Sequence, residues 1–149
     1  MKKICLSLFC IFLLCGCMQN GIIDTSKNTN IEMEVTENYS ISDPFVNAKL
    51  FYVTKDMDTL HLTINFVMDG NTGILEIEEK SSGEVLWSET WDESIENTVV
   101  PVTLYNIEKE KEYVIRFTGT KIKYAKVIMT SEQDVIKERA RSLHTKKES

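Results

Sequence analysis

The sequence predicts an all-β protein: an antiparallel β-sandwich of about eight strands with a short C-terminal helix. Three observations carry this expectation. From residue 31 onward, apolar and polar residues alternate in short runs of strand length. Clusters of Gly, Asn, Asp and Ser break those runs at spacings that suit antiparallel connections. Helical periodicity is confined to the C-terminal stretch, and a closed barrel is the alternative arrangement of the strands. At 149 residues, 42% of them hydrophobic, the chain is sized for one domain with its own core. A net charge of −6 argues against a nucleic-acid binder, which needs a basic footprint to neutralise phosphates.

The first element is a targeting segment, residues 1–16. Lys2 and Lys3 form a basic start, and Ile4 to Cys15 is an almost unbroken apolar run. That run is too short for the ~20 residues that cross a bilayer as a helix. It reads as the hydrophobic region of a signal peptide. The run ends in Leu14-Cys15-Gly16-Cys17, which resembles the lipobox of bacterial lipoproteins: an aliphatic residue, a small one, Gly, then Cys. The resemblance covers these four positions. It implies diacylglyceryl transfer to the Cys17 sulfur and cleavage between Gly16 and Cys17. The protein would then sit on the exported face of the cell membrane, with membrane lipid as its partner through Cys17. Cys15 stands where Ala, Ser or Thr is more usual, and it is small enough to fit.

Cysteine usage then constrains the fold. Cys5, Cys10, Cys15 and Cys17 all lie within the first 17 residues. A mature chain of 133 residues, Cys17 to Ser149, would keep only the lipidated one. No disulfide would be available, so the exported domain must stand on its core alone. Thiol catalysis is excluded on the same ground.

Residues 17–30 comprise the lipidated Cys and a polar, Asn/Thr-rich tether. The thirteen residues after Cys17 give a coil reach of roughly 20 Å. The domain proper is 31–130. Its expected strands are Ile31–Val35, Lys49–Thr54, Leu60–Met68, Ile74–Glu78, Glu84–Trp91, Thr98–Leu104, Glu112–Thr118 and Lys121–Met129. The third is the cleanest: Leu60, Leu62, Ile64, Phe66 and Met68 share one parity and predict a core face. Asp69-Gly70-Asn71-Thr72-Gly73 reads as a hairpin loop between the third and fourth strands. Pro101 cannot donate to a ladder and predicts an edge strand or a bulge. The apolar parity changes near Ala125, which suggests a bulge there or burial on both sides at the strand's end.

Residues 131–149 form the last element, a helix over Ser131–Leu143 followed by a tail. Ser131 and Asp134 have capping spacing, and Ile136, Ala140 and Leu143 lie at i, i+4, i+7. Charge is uneven along the chain. From 121 to 149 there are eight basic residues against four acids. A helix with a cationic C-terminus accounts for that; a basic end lying on anionic lipid is the alternative.

Chemistry is sparsely signalled. No paired-His metal spacing, nucleophile elbow or Gly-rich phosphate loop is present, and no cofactor or metal is expected. The Asp69 loop has alternating oxygen ligands, loosely like a calcium loop, but lacks the closing bidentate Glu. Trp87 and Trp91 share strand parity at a spacing of ~13 Å, on one face with Val85 and Glu89. They form either a platform for stacking sugar rings or part of the core. The stretch Gly83-Glu84-Val85-Leu86-Trp87 through Lys111 to Thr120 looks like small bacterial lipoproteins with β-sandwich domains, which carry no transferable activity. The expectation is a non-catalytic binding module at the cell envelope, whose partner is an envelope protein or a glycan. Glycan hydrolysis through two carboxylates is the competing enzyme class.

Overall fold

A computed structural model describes residues 30–37 and 44–140. Cys17, the tether and the tail beyond Ala140 lie outside the described residues. Nine strands form: β1 Ile31–Thr36, β2 Phe45–Val53, β3 Met57–Asp69, β4 Thr72–Glu79, β5 Val85–Trp91, β6 Ile95–Ile107, β7 Tyr113–Thr120, β8 Tyr124–Ser131 and β9 Ile136–Arg139. They make two antiparallel sheets, one in the order β1-β8-β3-β6 and the other β5-β4-β7-β2-β9. This is the predicted β-sandwich.

Alternation builds the core as the sequence implies. In β3, Leu60, Leu62, Ile64, Phe66 and Met68 are all buried, while Thr63, Asn65 and Val67 face outward half-exposed. Leu75 and Ile77 of β4 and Ile115 and Phe117 of β7 answer them from the opposite sheet. Phe66 is fully buried, with its ring 5.7 Å from Phe117. This contact joins the two sheets through two of their interior strands, β3 and β7.

Four features depart from the sequence expectation. The Asp69–Thr72 connection does not close a hairpin, because β3 and β4 lie in different sheets. Its glycine serves close packing instead: a Cβ at Gly70 would strike Ile122. The parity change near Ala125 is not a bulge. Ile122 belongs to the preceding turn, where Lys121 adopts a left-handed φ of 50°, and β8 alternates cleanly from Ala125.

The C-terminal helix is absent. Ser131 ends β8, and Ile136–Arg139 pairs with β2 as β9. Ile136 stands opposite Val53 in the ladder, and the Val135 carbonyl accepts the Thr54 N–H at 2.9 Å, so this segment spends its backbone on β2. The helical reading leaned on Ala140, which is exposed, and on Leu143, which lies outside the described residues. The fourth departure lies in β5. A register shift opposite Ile77 and Glu78 makes Leu86 an extra residue, which turns Val85 away from the face that Trp87 occupies.

Among the described residues, three basic groups from 121 onward are engaged in ion pairs. Lys126 pairs with Glu32 at 2.7 Å, Lys137 with Asp134 at 2.9 Å, and Arg139 with Glu110 at 3.3 Å.

Phe66→Ala removes the ring that spans the sheets. Truncation of a fully buried aromatic costs about 3–5 kcal/mol. Denaturant unfolding of the soluble domain should show that loss at an unchanged slope; a change below ~1 kcal/mol would contradict the sheet-bridging role.

Candidate functional site

Two sheet margins meet along one side of the sandwich. β5 is the last strand of its sheet and β6 the last of the other, and the short 92–94 turn joins them. Leu86, Trp87, Trp91 and Ile95 line this seam, half-buried and packed against the core. Trp91 lies over Phe66 with ring centroids 4.5 Å apart and an interplanar angle of 41°. Trp87 stands opposite Ile77, on the core side of its strand. Both tryptophans therefore turn inward and seal the seam. Glu89, which shares their parity, stands opposite Leu75 yet stays exposed.

At one end the seam opens into a recess of about 230 Å³, lined by Glu79, Glu84, Leu86, Tyr105, Glu108 and Lys111 among others. Glu79 has the parity of Leu75 and Ile77, so β4 carries it into the core layer, 7% exposed. The β4–β5 turn meets its charge. The Ser81 N–H donates to Oε1 at 2.9 Å, and the Ser81 hydroxyl donates to the same oxygen. The Ser82 hydroxyl donates to Oε2 at 2.8 Å, with Lys111 Nζ 3.4 Å away. These donors, Ser81 first, hold the Glu79 pKa at about 2 against the opposing effect of burial. Gly83, at φ 72°, closes the turn by donating its N–H to the Glu79 carbonyl.

The other rim is the β6–β7 turn. Asn106, at the end of β6, and Glu110, in the turn, both take left-handed conformations. The Tyr113 hydroxyl accepts the Glu108 N–H at 3.0 Å and thereby pins this turn to the core. Burial raises the Tyr113 pKa. Lys111 bonds Glu108 at 3.1 Å and so bridges the two turns, its pKa raised chiefly by that bond. Around the seam Val85, Val99 and Tyr105 are the exposed apolar groups, Tyr105 the most so at 66%.

The sequence pointed to Trp87 and Trp91, and the structure places both on this seam. It missed Glu79, although a carboxylate at core parity followed by Ser81-Ser82-Gly83 is a legible sign of a side-chain-bonded turn. His61 faces outward beside Thr103 at 3.3 Å, away from the seam. Asp69 ties loops together: its carbonyl accepts the Lys123 N–H at 2.8 Å. Among the described residues, no three His, Cys, Asp or Glu side chains converge on a metal position.

Residues 18–143 match a family described as a domain of unknown function, DUF4624. The chain belongs to that family. The DUF4624 match takes in all nine strands, including β9 and the whole seam. No curated protein matches the chain.

Two measurements follow from the seam's construction. Trp91→Ala should destabilise the DUF4624 domain by about 2–3 kcal/mol, since a half-buried ring is lost from Phe66. Equilibrium unfolding that shifts by less than ~1 kcal/mol would show the ring to be free of the core. Glu79 is depressed in the folded state, so its contribution is complete above its ordinary pKa of 4.5. That contribution is lost as the pH falls through about 2. NMR titration of the Glu79 carboxyl should show the low value, and Ser81→Ala with Ser82→Ala should move it back toward 4.5.

Proposed function

We propose that the protein is a membrane-anchored cell-envelope lipoprotein whose β-sandwich is a non-catalytic binding module. The anchoring half rests on Leu14-Cys15-Gly16-Cys17 behind its apolar run. The family match begins at residue 18, directly after Cys17, as suits a domain that starts where the lipid site ends.

The observation that carries the binding half is the state of Glu79. A catalytic carboxyl needs a pKa near the working pH and a free oxygen to meet its substrate. Glu79, the most buried acid of the recess, has neither: its pKa is about 2, and donors occupy both oxygens. It braces the turn. What the seam offers a partner is a preformed surface: two strapped turns, a sealed apolar strip, and the exposed side chains of Val99 and Tyr105. An envelope protein is the partner that such a surface suits. The tryptophan rings are spent on the core and offer sugar rings no open platform.

Metabolic labelling with a fatty-acid analogue tests the anchor. Wild-type protein should carry the label and fractionate with membranes, whereas Cys17→Ala should lose both. Undiminished label in Cys17→Ala would sink the assignment. Cross-linking in intact cells, followed by purification from membranes, should yield a discrete protein adduct, and a carbohydrate adduct would reverse the choice of partner.

A further inference from the structure

The seam carries an unanswered charge as well as an apolar strip. Trp87, Glu89 and Trp91 of β5 stand opposite Ile77, Leu75 and Gly73 of β4, all three of them buried. The two indoles are half-buried against the core, while Glu89 between them is exposed. The facing sheet thus covers Leu75 and stops short of the middle of β5. Alternate residues of a strand lie ~7 Å apart on one face, so the Glu89 carboxylate stands between two indoles. Glu79 has the same core parity and is met by Ser81, Ser82 and Lys111. Glu89 is not met: among the described residues, no hydrogen bond or ion pair engages its carboxylate.

We propose that the seam docks a segment of another envelope protein in which Lys or Arg stands among apolar residues, its cationic head on Glu89 and its stem along the tryptophans. This rests on the seam being the binding surface and adds the chemistry of what docks there. Residues 81–108 make both margin strands and the turn between them. They hold six carboxylates, Glu84, Glu89, Asp92, Glu93, Glu96 and Glu108, and no Lys, Arg or His. Among the described residues only Glu108 of these has an ion pair, with Lys111. The same stretch supplies Val85, Val99 and Tyr105, three of the four exposed large apolar side chains of the described domain. An apolar strip set in unbalanced negative charge is complementary to a long cationic side chain. Its methylene stem covers the strip while its head reaches a carboxylate. Trp91 has Phe66 against one face, so it serves this stem as a fixed apolar wall.

A second copy of this chain is a poor occupant. In a two-fold contact it brings the same carboxylates to the seam. Its cations are engaged as well: seven lysines and arginines of the described residues, Arg116 and Lys126 among them, pair with acids of their own domain. Anionic lipid and nucleic acid are repelled by the same field. For a cationic segment that field speeds encounter, and docking weakens as salt rises.

Trp87 and Trp91 are the only tryptophans of the chain, so intrinsic fluorescence reads the seam alone. The full chain, purified in a neutral detergent, is titrated with a capped, tryptophan-free peptide of Leu, Ser and Arg. A twin peptide carries citrulline in place of Arg. The Arg peptide should change the emission saturably, and the twin should bind about ten-fold more weakly, as loss of a charge-assisted hydrogen bond implies. Glu89→Gln, at an exposed position, should keep the wild-type unfolding midpoint and lose that discrimination. Glu138→Gln on β9, the opposite margin of the same sheet, should retain it. Equal response to the two peptides, or none to either, would overturn the cationic occupant. In cells, photo-cross-linking from benzoylphenylalanine in place of Val99 separates this inference from the one beneath it. A protein adduct that Glu89→Lys abolishes, and whose linked peptide holds Lys or Arg among apolar residues, supports both. An adduct indifferent to Glu89→Lys removes the charge inference and leaves the seam as the binding surface. No adduct from Val99 removes the seam itself, and an adduct between two copies gives it to a homodimer.

Discussion

Everything in this fold depends on the contact of Phe66 with Phe117 and Trp91. Phe66 comes from the C-terminal part of β3, Phe117 from β7 in the facing sheet, and Trp91 from the end of β5. One side chain thus fixes the separation of the sheets and closes one of their open sides. The described domain contains no cysteine, so no covalent link shares that task. The close approach also dictates smaller residues nearby. Gly73 lies where a Cβ would run into Met68 and Phe117, and Gly119 where one would meet Ile122 and Phe117. Packing here selects glycine for room rather than for φ.

The same sheet alignment creates the seam and its recess. Because β5 and β6 end their sheets side by side, the turns before β5 and after β6 come together at one end of the sandwich. Each turn is then fixed by a group from the core layer, the first by Glu79 and the second by Tyr113. Lys111 joins them by reaching both Glu79 and Glu108. The recess is therefore an outcome of packing that begins at Phe66, and its charge is spent on holding turns in place.

How much of this was legible in the sequence follows from what each signal measures. Period-two alternation reports burial on one face, so strands such as β3 and β4 could be read directly. Alternation says nothing about which sheet a strand joins. Asp69-Gly70-Asn71 therefore looked like a hairpin when it was a crossing between sheets. The bulge at Leu86 was hidden for a related reason: an extra residue is defined by the partner strand, Ile77 and Glu78, and not by its neighbours in sequence. The C-terminal helix failed differently. Its apolar spacing is weak, and the open margin of β2 offered a ladder to Leu50, Phe51, Tyr52 and Val53. Tertiary pairing overrode local preference, as it readily does where propensities are small. For the candidate site, the tryptophans were visible as large aromatics, but their inward direction depends on the shape of the facing sheet.

The free margins of the two sheets bear on how such a domain can bind. Four strands end a sheet: β1, β6, β5 and β9. Exposed margins invite another strand to pair, and each of these carries a feature that discourages it. β6 has Pro101 at its centre, which removes a donor from the ladder. β1 is short and presents Glu32 and Glu34 around Lys126. β5 is bent by the bulge at Leu86, and β9 has only four residues, with Lys137 and Arg139 both in ion pairs. Strand addition is thus opposed on every side. Recognition by this fold must then use side chains that the sandwich holds in fixed positions, on the seam and on the tied turns, and such a surface gains from rigidity because little order is lost when a partner binds.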